Sequence, residues 1–158
     1  MENFPKRIHV ELNAVCNLSC PMCPRHFVEE KPGFMTWELW KKIIDESSQY
    51  EDVSIIPFWR GESLLHPEFN AFIEYASNKV NSIQFTTNGM LISEKNIDAL
   101  LKMDFISISI HNKLGLKNAK WLLNQRKSSK PHIQISFVEG EKTIDKFMNE
   151  IILDSELG

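Results

Sequence analysis

Three cysteines, the chain's full complement, fall within eight residues as Cys16-Asn17-Leu18-Ser19-Cys20-Pro21-Met22-Cys23. An odd, tightly clustered set is a poor framework for structural disulfides. Thiolates are soft ligands, and three of them on one short loop can hold three corners of a cubane iron–sulfur cluster. The fourth corner then lacks a cysteine. That would be a defect in an electron carrier, but in a catalyst it leaves one iron open to a substrate or cosubstrate. Two other readings stand beside this one. With His26 as fourth ligand the same thiols make a Cys3His zinc site, although structural zinc sites usually take ligand pairs from separate segments. Alternatively the thiols are buried and unliganded, against which the polar and proline neighbours speak, because they mark an exposed loop.

The elements that must hold this loop follow from hydrophobic period. Residues 7–13 alternate, with Ile8, Val10 and Leu12 on one face and His9, Glu11 and Asn13 on the other, which predicts a first strand. Thr36 caps a helix with Leu39, Trp40, Ile43 and Ile44 on one stripe, ending near Tyr50. Residues 52–59 form a buried strand that Pro57 brings to an end. A second helix opens at Pro67 and carries Phe69, Phe72, Ile73 and Ala76. The pattern repeats with strands at 82–87, 105–111 and 132–138, and helices at 93–103 and 116–126. A last helix carries Ile144, Phe147, Met148, Ile151 and Ile152. Strands joined by single helices run parallel with right-handed crossovers, so the fold class is α/β, either an open sheet or a partial (β/α) barrel of about five units.

In both architectures the ligand site lies at the carboxyl ends of the strands. The residues there are the three cysteines after the first strand, Arg60, Gly61 and Glu62 after the second, Thr87, Asn88 and Gly89 after the third, and His111 and Asn112 after the fourth. No GxGxxG or GxxxxGK loop occurs, which speaks against a nucleotide-binding Rossmann or P-loop site. Trp37, Trp40 and Trp121 read as packing residues, whereas Trp59 beside Arg60 is placed near the rim.

Cys16-x3-Cys20-x2-Cys23 after the first strand, Gly61-Glu62-Ser63-Leu64-Leu65-His66-Pro67 after the second and Thr87-Asn88-Gly89 after the third together resemble the radical S-adenosylmethionine (radical SAM) superfamily. Cys23-Pro24-Arg25 and Gly33-Phe34-Met35-Thr36 resemble its SPASM, or peptide-modifying, branch, whose members often carry a C-terminal auxiliary-cluster domain. The resemblance implies that Cys16, Cys20 and Cys23 bind a [4Fe-4S] cluster whose fourth iron is chelated by S-adenosylmethionine. A reductant such as flavodoxin or ferredoxin would supply an electron that cleaves this cosubstrate to methionine and a 5′-deoxyadenosyl radical, which abstracts hydrogen from a substrate, in that branch a peptide or protein. By the same resemblance Gly61 and Glu62 match the motif that receives the methionine ammonium, with Arg60 in place of its first glycine. Arg60 would repel that ammonium, so its side chain is expected to point away. Thr87, Asn88 and Ser109 match contacts to the ribose and methionyl groups, as suits hydroxyls and amides facing a neutral sugar. His111 stands where relatives frequently have an acid.

Eighteen Lys and Arg against 21 Asp and Glu give a formal net charge of −3, which indicates neither a polybasic nucleic-acid binder nor an acidic tail. Lys113, Lys117, Lys120, Arg126, Lys127 and Lys130 read first as a solvated face. With no signal peptide and no apolar run long enough to span a membrane, a cytoplasmic protein is expected. The family core has six strand–helix units and residues 1–158 supply five. The expectation is a single core-like domain, truncated before the sixth strand and lacking an auxiliary-cluster domain. Its fifth strand, with Ile133, Ile135 and Phe137, would offer an open apolar edge to a second copy or a partner chain. A fragment, a minimal enzyme completed by assembly, and a noncatalytic iron–sulfur or zinc-binding module or degenerate subunit all fit that reading.

Overall fold

The computed structural model describes residues 4–28 and 33–137. Val138 and the expected last helix lie outside the described residues. Five strands, β1 (Arg7–His9), β2 (Ser54–Ile56), β3 (Ser82–Thr87), β4 (Phe105–Ile110) and β5 (His132–Phe137), form one sheet. Their spatial order is their chain order, and every neighbouring pair is parallel. Helices α1 (Trp37–Ser47), α2 (Phe69–Ser77), α3 (Ile97–Leu101) and α4 (Lys113–Gln125) fill the crossovers. A doubly wound sheet reverses its strand order at a switch point, whereas here each unit adds beside the last, as in a sector of a (β/α) barrel.

The two sheet faces differ in chemistry because strand side chains alternate. Ile83, Phe85 and Thr87 of β3 and Ile106, Ile108 and Ile110 of β4 are buried on the face the helices cover. The opposite face carries Gln84 and Thr86, then Ser107 and Ser109, in register with Gln134 and Ser136 of β5. It continues into His9, which is exposed, and Glu11. One face is therefore an apolar core and the other a polar surface.

Local chemistry sets the element ends. Thr36 caps α1, its hydroxyl accepting the Leu39 N–H, as its position before the apolar stripe suggested. Leu39 itself is corrected: it is 48% exposed, and only Trp40 and Ile44 of the expected stripe are fully buried, with Ile43 packed at the core's edge. β1 and β2 are shorter than their apolar runs. Val10 N–H still donates to the Ile56 carbonyl at 2.9 Å, but Pro57 has no N–H to continue the ladder. Leu12 and Asn13 are instead paired with the returning segment at Phe34 and Met35. α2 starts two residues after Pro67, because the His66 ring accepts the Glu68 N–H and takes the place of the first turn. α3 is trimmed in a similar way: the Asn96 side chain accepts from Ser93 N–H and donates to the Leu91 carbonyl, which replaces the expected first turn with a side-chain-bonded loop. α4 begins three residues earlier than expected because Asn112 caps it, accepting the Gly115 N–H at 3.0 Å.

Trp40 anchors the layer between α1 and α2. Its ring stacks on Phe72 at 5.2 Å between centroids, and its indole N–H donates to the Phe72 carbonyl at 2.9 Å. Among the described residues, no helix is long and apolar enough to cross a membrane. Trp40→Ala is expected to lower unfolding free energy by about 3–5 kcal/mol in urea denaturation, and Trp40→Phe by markedly less, since an aromatic ring remains against Phe72 and the losses are one hydrogen bond and a smaller cavity.

Candidate functional site

The carboxyl ends of the strands bring three loops together, and a glycine sets how closely. A Cβ on Gly61 would lie 2.1 Å from the Asn13 carbonyl oxygen and 2.8 Å from that of Val15, so only glycine fits. The Glu62 N–H donates to the Val15 carbonyl at 2.8 Å, and the Asn13 amide donates to the Glu62 carbonyl at 3.1 Å. Asn13 Oδ1 turns the chain by accepting the Val15 N–H, immediately before Cys16. The loop after β2 thus lies directly on the root of the cysteine loop.

Glu62 then ties in the third loop. Its side chain is turned inward and the residue is 2% exposed. Oε1 accepts from the Thr87 hydroxyl at 2.9 Å and the Leu64 N–H at 3.3 Å, and Oε2 accepts from the Asn88 N–H at 2.9 Å. Burial pushes its carboxyl above the usual carboxylate range, outweighing the opposite pull of the three donors. Gly89 follows in the left-handed region at φ 75°, against Ile108 and Gly115. The Asn88 amide reaches back to Asn17 Oδ1 at 2.8 Å and lies 3.9 Å from the Cys16 sulfur.

All three cysteines are free and half-buried. Burial pushes the Cys20 thiol up, and negative charge on Cys16 and on Cys23 pushes it further, so the three sulfurs are close enough to feel one another. Leu18 N–H approaches the Cys16 sulfur at 3.4 Å, and the Arg25 guanidinium holds the Leu18 carbonyl at 2.8 Å. Cys20 meets the His111 ring, with Nδ1 at 3.6 Å from its sulfur. Among the described residues, no three His, Cys, Asp or Glu side chains are drawn together tightly enough to hold a metal ion. His26, the fourth ligand of the zinc reading, meets the Ser19 hydroxyl instead, at 3.4 Å. Three thiols on one short loop form a soft donor set whose chemistry suits iron or zinc.

The residues singled out by motif mostly meet. Cys16, Gly61, Glu62, Thr87 and Asn88 form one connected group. Ser109 stands apart on the polar face of β4, in register with Ser136. Arg60 is turned onto Glu11, with Nε at 3.1 Å from Oε1 and Nη2 at 2.8 Å from Oε2, so its charge is matched by a carboxylate on the neighbouring segment. Trp59 is 56% exposed and meets His9 edge-on at 5.7 Å. His66 is buried; because Nδ1 accepts the Glu68 N–H, Nε2 donates to the Met35 carbonyl at 2.9 Å, holding the start of α1. Sequence reasoning gave no role to Asn17, and placed Arg25 in the Cys23-Pro24-Arg25 segment without a contact. Both lie within or just after the cysteine run, so their proximity was the available signal, but their partners were not.

Residues 10–133 match the family model of the radical SAM superfamily. The chain is 27% identical over 99 residues to the tungsten-containing aldehyde ferredoxin oxidoreductase cofactor-modifying protein of Pyrococcus furiosus, covering 62% of this chain and 28% of that protein. Its fold is similar to that of BtrN solved with AdoMet and 2-DOIA, at a TM-score of 0.71 and 20% identity over 87% of this chain and 58% of BtrN. It is also similar to Streptococcus suis SuiB bound to the precursor peptide SuiA, at a TM-score of 0.66 and 18% identity over 94% of this chain and 36% of SuiB. The chain therefore spans less than two thirds of each of these proteins.

The raised Glu62 carboxyl gives a pH signature. A group that holds its proton more tightly when folded contributes stability below its unfolded pKa and loses it as pH rises through its folded pKa. Wild-type stability to urea is expected to fall across that window. In Glu62→Gln the fall is abolished, but a donor now faces the Asn88 N–H, at a cost of about 1–3 kcal/mol. The gap between the two proteins therefore narrows as pH rises, and a wild-type slope in Glu62→Gln would refute the assignment.

Proposed function

Because this chain belongs to the radical SAM superfamily, we propose that Cys16, Cys20 and Cys23 hold a [4Fe-4S] cluster at the mouth of the partial barrel and that the chain acts in reductive cleavage of S-adenosylmethionine. The observation that carries the reading is the convergence of three free thiols with the Gly61–Glu62 and Thr87–Asn88 loops on one rim. Cluster and cosubstrate together supply one-electron cleavage of a carbon–sulfur bond, yielding a 5′-deoxyadenosyl radical for hydrogen abstraction.

The chain's own residues bind, orient and exclude. Gly61 brings backbone close to the cysteine loop, where a ligand ammonium would find carbonyl acceptors. The Glu62 carboxylate is already taken by three protein donors, so its part in this proposal is to hold Thr87 and Asn88 in place. Arg60, paired with Glu11, adds little net repulsion toward that ammonium. The Asn88 amide, beside Cys16, and Ser109, on the polar face, offer hydrogen bonds suited to a ribose and a methionyl group. The polar face of β3, β4 and β5 supports a substrate rich in hydrogen-bonding groups. A peptide or protein is favoured by the likeness to SuiB, which was solved with a precursor peptide. A low-potential carrier such as flavodoxin or ferredoxin would supply the electron, and the free thiols suit the reducing cytoplasm. Among the described residues β5 pairs on one side only, which supports pairing of that edge with a second copy or partner chain.

Anaerobic reconstitution with iron and sulfide tests the reading. The wild-type chain is expected to take up about four irons per chain, turn brown, and once reduced convert S-adenosylmethionine to 5′-deoxyadenosine. Cys20→Ala is expected to lose both iron and cleavage. Zinc bound in place of iron would favour the Cys3His alternative and overturn this proposal.

A further inference from the structure

His111 follows β4 directly, and alternation along that strand puts it on the polar face with Ser107 and Ser109. Its Nδ1 lies 3.6 Å from the Cys20 sulfur, a contact between residues 91 positions apart. The other cysteine with donors on its sulfur, Cys16, is served by its own loop and by Asn88. Arg25, whose positive charge also acts on Cys20, has a buried Nε without a partner. Cys20 thus meets a side chain from the end of β4, as Cys16 meets one from the loop after β3.

A sulfur ligated to iron is a thiolate and only accepts hydrogen bonds, so the facing ring nitrogen must carry the hydrogen. The neutral Nδ1–H tautomer and the imidazolium both satisfy that. Resting on the cluster assignment above, we propose that His111 donates Nδ1–H to the Cys20 thiolate and thereby raises the reduction potential of the cluster. The physical reason is charge: one-electron reduction makes the cluster and its sulfurs more negative, and a donor aimed at a sulfur stabilises the reduced form more than the oxidised one. No bond is made or broken and no proton moves. The electron comes from the reductant, dithionite in the test below. His111 is a positioning and tuning residue in this proposal, with no contact to substrate required.

The test is potentiometry on the anaerobically reconstituted 158-residue chain, with the reduced cluster quantified by electron paramagnetic resonance and iron counted in every sample. At the potential where wild type is half reduced, His111→Leu is expected to show a reduced-to-oxidised ratio lower by up to about tenfold, which for a one-electron couple corresponds to about 59 mV. His111→Asn, which places an amide N–H near the position of Nδ1, is expected to restore most of the wild-type ratio. If the Leu variant fails to hold iron, His111→Phe supplies the same comparison with a ring of similar size and no donor. Full iron content with a wild-type potential in the donor-free variant overturns this proposal alone, as does an Asn variant that behaves like Leu. A wild-type chain that takes up no iron overturns the cluster assignment and this proposal together.

Discussion

One buried carboxylate organises the rim. Glu62 is anchored through its backbone to Val15 and Asn13, on the loop after β1, and through its side chain to Thr87 and Asn88, on the loop after β3. A carboxylate in a nearly dry environment is costly and needs donors, and the three here offset that cost in part while burial still holds the carboxyl above its usual range. The same requirement makes the arrangement specific, because shifting any of the three loops leaves a charged or polar atom unpaired. Gly61 permits the close approach and Glu62 makes it stable, so the two adjacent residues act as one device.

The root of the cysteine loop is fixed by this device while its outer part is not enclosed. Asn13 and Val15 are tied down, whereas Met22 and Phe27 are 60% and 81% exposed. Thiols on such a loop, all half-buried, remain reachable from outside. The sheet separates these duties: its apolar face, led by Phe85, Ile106 and Ile108, carries the packing, which frees the other face for hydrogen-bonding side chains. Pairing of Arg60 with Glu11 keeps the charge of that region nearly balanced.

Much of the architecture was legible because period and punctuation are local. β3 was read to its exact ends, Pro57 marked the end of β2, and Thr36 marked the start of α1. The errors were also local in origin but tertiary in cause. α3 is shorter than its apolar pattern because Asn96 diverts the chain before it, and α4 is longer because Asn112 caps it. Leu39 fits the helical stripe yet faces away from the core, since a stripe defines an arc and packing against α2 selects only part of it.

For the site, the sequence by itself determined the donor types and which rim they occupy. Cysteine spacing implies soft ligands on one loop, and single-helix crossovers force parallel strands whose carboxyl ends point the same way. Strand alternation assigns a side chain to a face but names no partner across the sheet. Only the tertiary structure decided that Glu62 turns inward to Thr87, 25 residues on, that Arg60 closes on Glu11, 49 residues back, and that His111 reaches Cys20 across 91 residues. Such contacts depend on the twist of the sheet and on how closely its loops approach, quantities set by the packing of the whole core and carried by no short stretch of chain.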